Sequence, residues 1–415
     1  MKSHWLIAKI LFFITLITSQ YSLASNNPST KNDLLIDAQF PGGNILVDKI
    51  VGDTVYIHQN LHDTEGNWFY WAFRVRGAEN RTLVFKFIHP WKDLQKINVF
   101  ASNGPAISTD DGVTWGWLGS KTLSSHSFSY TFSKETKEVR FSMGMPYTEI
   151  HLNRFLKRYE LHPNLEKSTL AISKEGRPIE RLHLGSLHGN AKYKIVLTTR
   201  HHACEMMGSY VLEGIMEEFL SDSPTGKWIR ENAEVLVIPF IDKDGVENGD
   251  QGKNRRARDH NRDYSEESIY ETTRWLRAFV PAWTHGAPLV GLDIHCPFIS
   301  EGTNEQIHLV GSKNAAMAKE ESKLSKRLEK RSAEANGLKY QESFNIPFGT
   351  SWNVDGSFQK GSTFREWIGN LPDIRLGTTL EFPYANATGM EINQENAKLF
   401  GRVTAKSMVD YLMND

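Results

Sequence analysis

Residues 195–205 have the sequence IVLTTRHHACE, which combines a strand pattern with a cluster of polar residues. Its first five residues are an apolar run typical of a buried strand, and the apolar positions of residues 205–220 predict a helix directly after it. In α/β proteins, sites form beyond the carboxyl ends of such strands. His202 and Glu205 lie three residues apart on the intervening turn, so both can point at one metal ion. Taken alone, the motif is also explained by a glutamate that stabilises a helix N-terminus beside a surface histidine.

The chain after about residue 164 continues this alternation of strands and helices. Apolar strands are predicted at residues 235–241, 288–294 and 377–381, and helices at residues 270–279, 312–336 and 394–412. Continuous apolar strands are typical of a sheet that is covered by helices on both faces. Residues 165–415 are therefore predicted to form an α/β/α domain with a mixed, mainly parallel sheet.

The chain before residue 164 has a different pattern. Short β-branched and aromatic runs occur at residues 68–75, 83–88, 128–132 and 139–143. With turn signals between them, these runs predict an antiparallel β-sandwich over residues 33–161. We interpret its aromatic side chains as core residues rather than as a sugar-binding platform, because burial is their commoner use.

The N-terminus has the pattern of a secretory signal. Lys2 and Lys9 precede a short apolar run at residues 10–17. Ser22 and Ala24 then place small residues at the two positions that a signal peptidase recognises. The run is shorter than a membrane-spanning helix, although an uncleaved anchor is the alternative. Residues 1–24 are predicted to be removed, so we expect a secreted or periplasmic protein without stable membrane association.

The composition excludes several classes of protein. The 415 residues include 48 Lys and Arg and 49 Asp and Glu, which gives a formal net charge of −1. Nucleic-acid binding needs concentrated basic residues, so nucleic acid is not an expected partner. Two cysteines cannot form a disulfide scaffold or a four-thiolate zinc site.

Two further polar clusters end predicted strands. The first is Asp293-Ile294-His295, whose histidine is a candidate third ligand, because two histidines and one glutamate are a common zinc-binding set. Alone, His295 would more often be a hydrogen-bonded structural histidine. The second is Glu381, which is either part of a structural ion pair or a general base beside the metal.

The loop of residues 253–264, KNRRARDHNRDY, is strongly basic. A solvated or nucleic-acid-binding patch is one interpretation, and the net charge argues against nucleic acid. Within the loop, Asn261 and Arg262 offer an amide donor and a guanidinium fork, which together suit a substrate carboxylate.

Along the chain the order is HxxE, the Asn-Arg pair, Asp-Ile-His and the strand-end Glu381. In this order the motifs resemble the carboxypeptidase A-like family of zinc carboxypeptidases. The likeness is greater to the cytosolic-carboxypeptidase-like subgroup, which carries a β-sandwich before its catalytic domain. In the sandwich, Gly43-Asn44, Gln59-Asn60, Trp68-Phe69-Tyr70 and Pro146-Tyr147-Thr148 look like that subgroup.

The resemblance implies that His202, Glu205 and His295 hold one zinc ion, with His201 as an alternative to His202. It implies that Glu381 takes a proton from the attacking water and then delivers it to the leaving amine.

The resemblance also implies that Asn261 and Arg262 hold the C-terminal carboxylate of a peptide. Asp259 would orient His202. Arg255 or Arg256 would polarise the scissile carbonyl; Arg255 is preferred and Arg256 would then contact substrate. The segment that usually separates this arginine from the Asn-Arg pair is replaced here by the basic loop, so the two arginines remain alternatives.

The implied activity is hydrolysis of the C-terminal peptide bond of peptides or proteins. A zinc-dependent deacylase or amidase acting on small N-acyl amino acids is an alternative, and a non-catalytic binding protein with a relict zinc site is another. The preferred C-terminal residue and the oligomeric state stay open.

The two cysteines flank the implied ligands, since Cys204 lies within the HxxE motif and Cys296 follows His295. If the ligands share one ion, the two sulfurs lie near the same site. One disulfide and two free thiols are then the alternatives.

Overall fold

The computed structural model describes residues 34–64, 69–88, 99–124, 126–189, 191–265, 267–356 and 360–414. Residues 34–415 form one compact unit. The predicted signal segment, residues 1–24, lies outside the described residues.

The N-terminal part contains two five-stranded sheets. In order across the first sheet, the strands are β1 (Leu35–Asp37), β4 (Ala72–Arg76), β10 (Glu138–Ser142), β6 (Ala106–Ser108) and β7 (Gly116–Trp117). Across the second they are β2 (Leu46–Val51), β3 (Thr54–His58), β5 (Thr82–Phe87), β9 (Ser127–Thr131) and β8 (Leu123–Ser124). The pairings are antiparallel as predicted, except that β3 and β5 run parallel.

Aromatic rings fill the space between these two sheets. Trp71, Phe73, Phe85, Phe128 and Phe141 are all buried. The rings of Phe85 and Phe128 stack with their centroids 5.0 Å apart. Such contacts stabilise a sandwich core beyond the area that they bury, so the interpretation of these aromatics as core residues is confirmed.

The C-terminal part is built on a seven-stranded mixed sheet. Its strands, in order, are β11 (Leu165–Ile172), β12 (Pro178–Gly185), β14 (Ala233–Ile238), β13 (Tyr193–Thr199), β15 (Leu289–His295), β17 (Ile374–Glu381) and β16 (His308–Val310). The four strands from β14 to β17 are parallel, whereas β11, β12 and β16 pair antiparallel at the edges. The mixed sheet is as predicted, and its parallel character is confined to the centre.

Eight α-helices occur in the described residues. They are α1 (Glu149–Lys157), α2 (Met207–Leu220), α3 (Pro224–Asn232), α4 (Lys243–Asn248), α5 (Glu271–Thr284), α6 (Ala315–Glu334), α7 (Phe364–Ile368) and α8 (Gln394–Met413). A short β18–β19 hairpin (Asn386–Ala387 and Met390–Glu391) precedes α8. No helix in the described part of the chain has both the length and the apolar character that a bilayer crossing requires.

The predicted helix at residues 270–279 differs from the observed one at its end. Helix α5 continues to Thr284 and contains Pro281. The helix α3 was not expected from the sequence, although its start carries two local signals. Ser223 accepts a hydrogen bond from the Gly226 amide, and Pro224 occupies the first turn, where a missing N–H costs nothing.

The central strands bring the predicted polar clusters together at their carboxyl ends. In the parallel register, Thr199 lies beside Ile294, and His295 lies beside Glu381. The carboxyl ends of β13, β15 and β17 therefore meet, and the side chains that follow them share one site.

Candidate metal centre

The turn that carries the HxxE motif is held by an arginine that sequence reasoning missed. Arg200 is buried and takes a positive φ of 61° where the chain leaves β13. Its guanidinium donates to the carbonyl oxygens of Ala203, at 3.0 Å from Nε, and Tyr147, at 2.6 Å from Nη1. These bonds fix the turn before α2 begins, so His202 and Glu205 face the end of β15.

His202, Glu205 and His295 converge. The Nδ1 atom of His202 lies 2.8 Å from Glu205 Oε1, and the Nδ1 atom of His295 lies 2.7 Å from Glu205 Oε2. All three side chains offer a ligand atom within 4.8 Å of the others. Glu205 is only 1% exposed, and each of its two oxygens faces one of these imidazole nitrogens. A buried carboxylate that meets two imidazole nitrogens is the donor set that a zinc ion satisfies.

The far sides of the two imidazole rings support the same assignment. His295 Nε2 donates to Asp293 Oδ2 at 2.6 Å, which leaves Nδ1 as the nitrogen with the free lone pair. His202 Nε2 faces Asp259 Oδ1 at 3.7 Å, which is longer than a hydrogen bond. Carboxylates behind ligand histidines orient the rings and raise their basicity. The residues present therefore fit zinc.

Neighbouring groups lower the pKa of two buried carboxylates in the centre. Burial alone would raise the pKa of Glu205, but Lys253, His202 and His295 hold it well below its usual range. Burial would likewise raise the pKa of Asp293, which His201 and His295 instead lower. Both carboxylates are thus ionised, as ligation and ring orientation require.

His201, the alternative ligand, is engaged elsewhere. Its Nδ1 lies 2.8 Å from Asp293 Oδ1, and its Nε2 lies 2.8 Å from the Tyr264 hydroxyl. Although His201, Asp293 and His295 also form a group that could hold a metal, both nitrogens of the His201 ring already have partners. The structure favours His202 as the ligand.

Glu381 lies beside this group at the end of β17. It is 9% exposed, it neighbours His295 in the strand register, and its Oε2 has no hydrogen-bond partner among the described residues. A nearly buried carboxylate with an unused oxygen at a strand end suits the predicted general base.

Asn261 and Arg262 reach the same site through a 3₁₀ turn, His260–Arg262. The Asn261 Nδ2 atom lies 3.3 Å from His295 Nε2, and its Oδ1 accepts the Phe364 amide at 3.0 Å. The Arg262 guanidinium donates to the Asn261 carbonyl at 2.8 Å and is close to 9% exposed. The Asn261 amide and the Arg262 guanidinium therefore lie near His295, as a binding site for a substrate carboxylate requires.

Arg255 does not face the metal ligands. Its guanidinium pairs with Asp63 at 2.8 Å, Asp242 at 2.6 Å and Asp250 at 2.5 Å, and its side chain is 11% exposed. A guanidinium held by three carboxylates is not aimed at a substrate carbonyl, so the structure argues against the predicted role of Arg255. Arg256, the other candidate, is exposed on the loop.

Lys253 is the cation that the fold brings to the ligands instead. Its Nζ lies 2.7 Å from Glu205 Oε1 and donates to the Cys296 carbonyl at 3.3 Å. Its charge also interacts with Glu381. In the sequence, Lys253 is one of several basic residues in a run, and nothing local separates it from the arginines that follow.

Both cysteines are free and buried in the structure. Burial raises the pKa of the Cys204 thiol to about 12, although Lys253 opposes this, and it also raises the pKa of Cys296 well above its usual range. Cys204 Sγ lies 3.7 Å from the Tyr384 hydroxyl. Of the two alternatives, the structure shows the free thiols.

A mixed α/β sheet whose parallel strands end at a His-Glu-His set defines the class of metal-dependent α/β hydrolytic enzymes. Within that class, residues 152–306 match the zinc carboxypeptidase family Peptidase_M14. Over these residues the chain is similar to a zinc carboxypeptidase domain, and zinc is the metal of this family.

Individual known proteins agree with this family. Cytosolic carboxypeptidase 2 of Xenopus tropicalis is 27% identical over 266 residues, which cover 56% of this chain and 27% of that protein. Cytosolic carboxypeptidase 6 of Caenorhabditis elegans is 24% identical over 276 residues, which cover 60% of this chain and 59% of that protein. The chain thus spans less than two thirds of the length of either relative.

The fold has a solved counterpart over both parts of the chain. The metallo-carboxypeptidase from Burkholderia cenocepacia aligns over 92% of this chain and 99% of its own, with a TM-score of 0.74 and 18% identity. Because the alignment spans nearly all of both chains, the two proteins share the β-sandwich and the α/β domain.

Proposed function

We propose that this protein is a carboxypeptidase that hydrolyses the C-terminal peptide bond of peptides or polypeptides. The proposal rests on three groups that meet at the carboxyl ends of the central strands. They are a zinc-binding set, the Glu381 carboxylate and a candidate anchor for the substrate carboxylate. His295 is the centre of this arrangement, with Glu381 beside it in the register and Asn261 Nδ2 3.3 Å from its ring.

When bound by His202, Glu205 and His295, zinc supplies Lewis-acid chemistry that activates water and polarises the substrate carbonyl. Asp293 accepts a hydrogen bond from His295 Nε2, so the Nδ1 lone pair of His295 would be available to that ion. Burial of these groups keeps bulk water away from them, which strengthens each electrostatic interaction.

The proton movements fall to Glu381. Its unused Oε2 accepts a proton from the water as the water oxygen bonds to the carbonyl carbon. The same carboxyl group then delivers that proton to the amide nitrogen as the C–N bond breaks. Asn261 and Arg262 hold the free carboxylate of the last residue, which restricts cleavage to chain ends.

A matched pair of substrates tests this proposal. The purified zinc-loaded protein is given a peptide with a free C-terminus and the same peptide with a C-terminal amide, and release of the last residue is followed by mass spectrometry. We expect hydrolysis of the free form at a rate at least about 100-fold above the amide, because a bidentate charged contact is lost. Hydrolysis of N-acyl amino acids alone, or equal cleavage of both peptides, would contradict the proposal.

The location is a separate proposal: that the protein is secreted or periplasmic. It is supported by the lysines, the apolar run and the small residues of the first 24 positions. N-terminal sequencing of the protein from its own cells is expected to begin at Ser25, whereas a protein that retains Met1 in the cytoplasmic fraction would refute it.

A further inference from the structure

The basic loop places one ammonium group at the metal ligands. Lys253 Nζ contacts Glu205 Oε1 at 2.7 Å on one side and the Cys296 carbonyl at 3.3 Å on the other. Glu205 follows β13, and Cys296 follows β15. The ammonium therefore spans the two strand ends that carry the ligands.

The sandwich fixes this position. Thr64 Oγ1 donates to the Lys253 carbonyl at 2.7 Å, and the amide of the preceding Gly252 donates to Asp63 Oδ2 at 2.9 Å. Two hydrogen bonds to a different part of the fold leave the Lys253 backbone little freedom. These tertiary contacts therefore position the Lys253 side chain beside the candidate metal ligands.

The ammonium keeps one donor for a ligand. An ammonium group has three N–H donors, and Glu205 and Cys296 account for two of them. Among the described residues no further hydrogen-bond acceptor takes the third; the Phe69 ring centroid lies 5.7 Å from Nζ, and the Lys253 side chain is 21% exposed. The third N–H is therefore available to a ligand that approaches Glu205 from the open side of Lys253.

We propose that Lys253 is a catalytic residue, whose Nζ donates a hydrogen bond to the carbonyl oxygen of the scissile bond as that oxygen becomes negatively charged. The inference rests on the proposed function. It assigns to Lys253 the role that the family resemblance gave to Arg255 or Arg256. The lysine acts only as a donor, so no proton is transferred to or from it.

The test compares Lys253→Met and Lys253→Arg with the wild type on a free C-terminal peptide. We expect Lys253→Met to lower kcat about 100-fold or more with KM changed less than about 3-fold, since one oxyanion donor is commonly worth that much. Lys253→Arg is expected to recover part of the loss because it keeps a cationic donor. Zinc stoichiometry is expected to stay at about one per chain in both variants.

A binding measurement makes the test independent of turnover. A peptide analogue with a phosphonate at the scissile position presents a tetrahedral anion, and its affinity for Lys253→Met is expected to fall in parallel with kcat. If Lys253 only neutralised Glu205, the variant would change zinc affinity or melting temperature and leave kcat and phosphonate affinity unchanged, which would overturn the inference.

Lys243 offers a matched control. It is another buried lysine paired with glutamates, with Nζ 2.7 Å from Glu180 and 3.2 Å from Glu149, away from the ligands. Lys243→Met is expected to lower the melting temperature without lowering kcat of the folded protein. A wild type that releases no C-terminal residue would refute the proposed function, whereas an active wild type with an equally active Lys253→Met would refute only this inference.

Discussion

Asp293 is the residue that ties the candidate ligands to the rest of the sheet. Its Oδ1 accepts from Thr198 Oγ1 and His201 Nδ1, both at 2.8 Å, and its Oδ2 accepts from His295 Nε2 at 2.6 Å. Tyr264 in turn contacts His201 Nε2. This buried chain of hydrogen bonds sets the His295 ring before any ion is bound.

Asp293→Asn is expected to weaken zinc binding about 10- to 100-fold, because an amide presents one acceptor where the carboxylate presents two. The zinc dissociation constant can be measured by competition with a chromophoric chelator. Asp222→Asn, whose side chain is 98% exposed, is the control and is expected to bind zinc like the wild type. An unchanged dissociation constant in Asp293→Asn would show that His295 is oriented without this carboxylate.

A second residue-scale prediction concerns pH and stability. Glu321 is buried on α6, and burial raises its pKa to about 7, although the Ser312 amide and Arg365 favour the ionised form. Between its ordinary pKa of 4.5 and about 7, the unfolded chain has lost the proton that the folded chain retains. The contribution of Glu321 to the free energy of unfolding therefore falls across this interval and is constant above it.

Glu321→Gln is expected to remove that fall, so that its stability relative to the wild type rises by the order of 2 kcal/mol from pH 5 to pH 7.5. Urea denaturation across this range measures the difference. Glu334→Gln on the same helix, with a side chain that is 52% exposed, should follow the wild type at every pH. A pH-independent difference for Glu321→Gln would refute the prediction.

At the scale of elements, the loop between α4 and the His260–Arg262 turn connects the two parts of the fold. Gln251 Oε1 accepts the Phe69 amide at 2.6 Å, and Asp63 contacts Arg255 at 2.8 Å. These contacts hold the basic loop and the residues before it against the sandwich. Most of the charged side chains of the loop are paired within the fold. These contacts are long-range, which explains why the sequence could not show that Arg255 pairs with aspartates rather than with substrate.

Arg255→Met is expected to lower the free energy of unfolding by about 3–5 kcal/mol, because it leaves Asp63, Asp242 and Asp250 as buried charges without their common partner. Chemical denaturation of the zinc-loaded protein measures this loss, and exposed Arg256→Met is the control. A stable Arg255→Met protein with kcat reduced 100-fold would instead restore the predicted catalytic role.

At the scale of the whole molecule, hydrogen bonds join the β-sandwich to the α/β part, and the two lie in one compact unit. Asn44 Nδ2 donates to the Gly249 carbonyl at 2.7 Å, and Trp117 Nε1 donates to the Ile392 carbonyl at 2.6 Å. Thr64, on the sandwich, positions Lys253. The sandwich thus supports the site directly, and the domain boundary between residues 161 and 165 stays a prediction.

The architecture was predictable because hydrophobic periodicity is local. The strands β13, β15 and β17 and the helices α2, α6 and α8 lie within a few residues of their predicted positions. The parallel pair β3–β5 and the antiparallel edges were not predictable, since strand direction depends on partners distant in sequence. The same holds for the site: His202, Glu205, His295 and Glu381 follow strands and could be picked out, whereas Lys253 could not.

We propose that His202, Glu205 and His295 hold one zinc ion beside the proton-transferring carboxylate of Glu381. The most direct measurement is the turnover of a free C-terminal peptide by Glu381→Gln, with zinc content determined on the same sample and exposed Glu391→Gln as the control. We predict about one zinc per chain and a kcat reduced at least about 100-fold, because a proton acceptor is lost while the ligands remain. Near wild-type turnover by zinc-loaded Glu381→Gln would contradict the account.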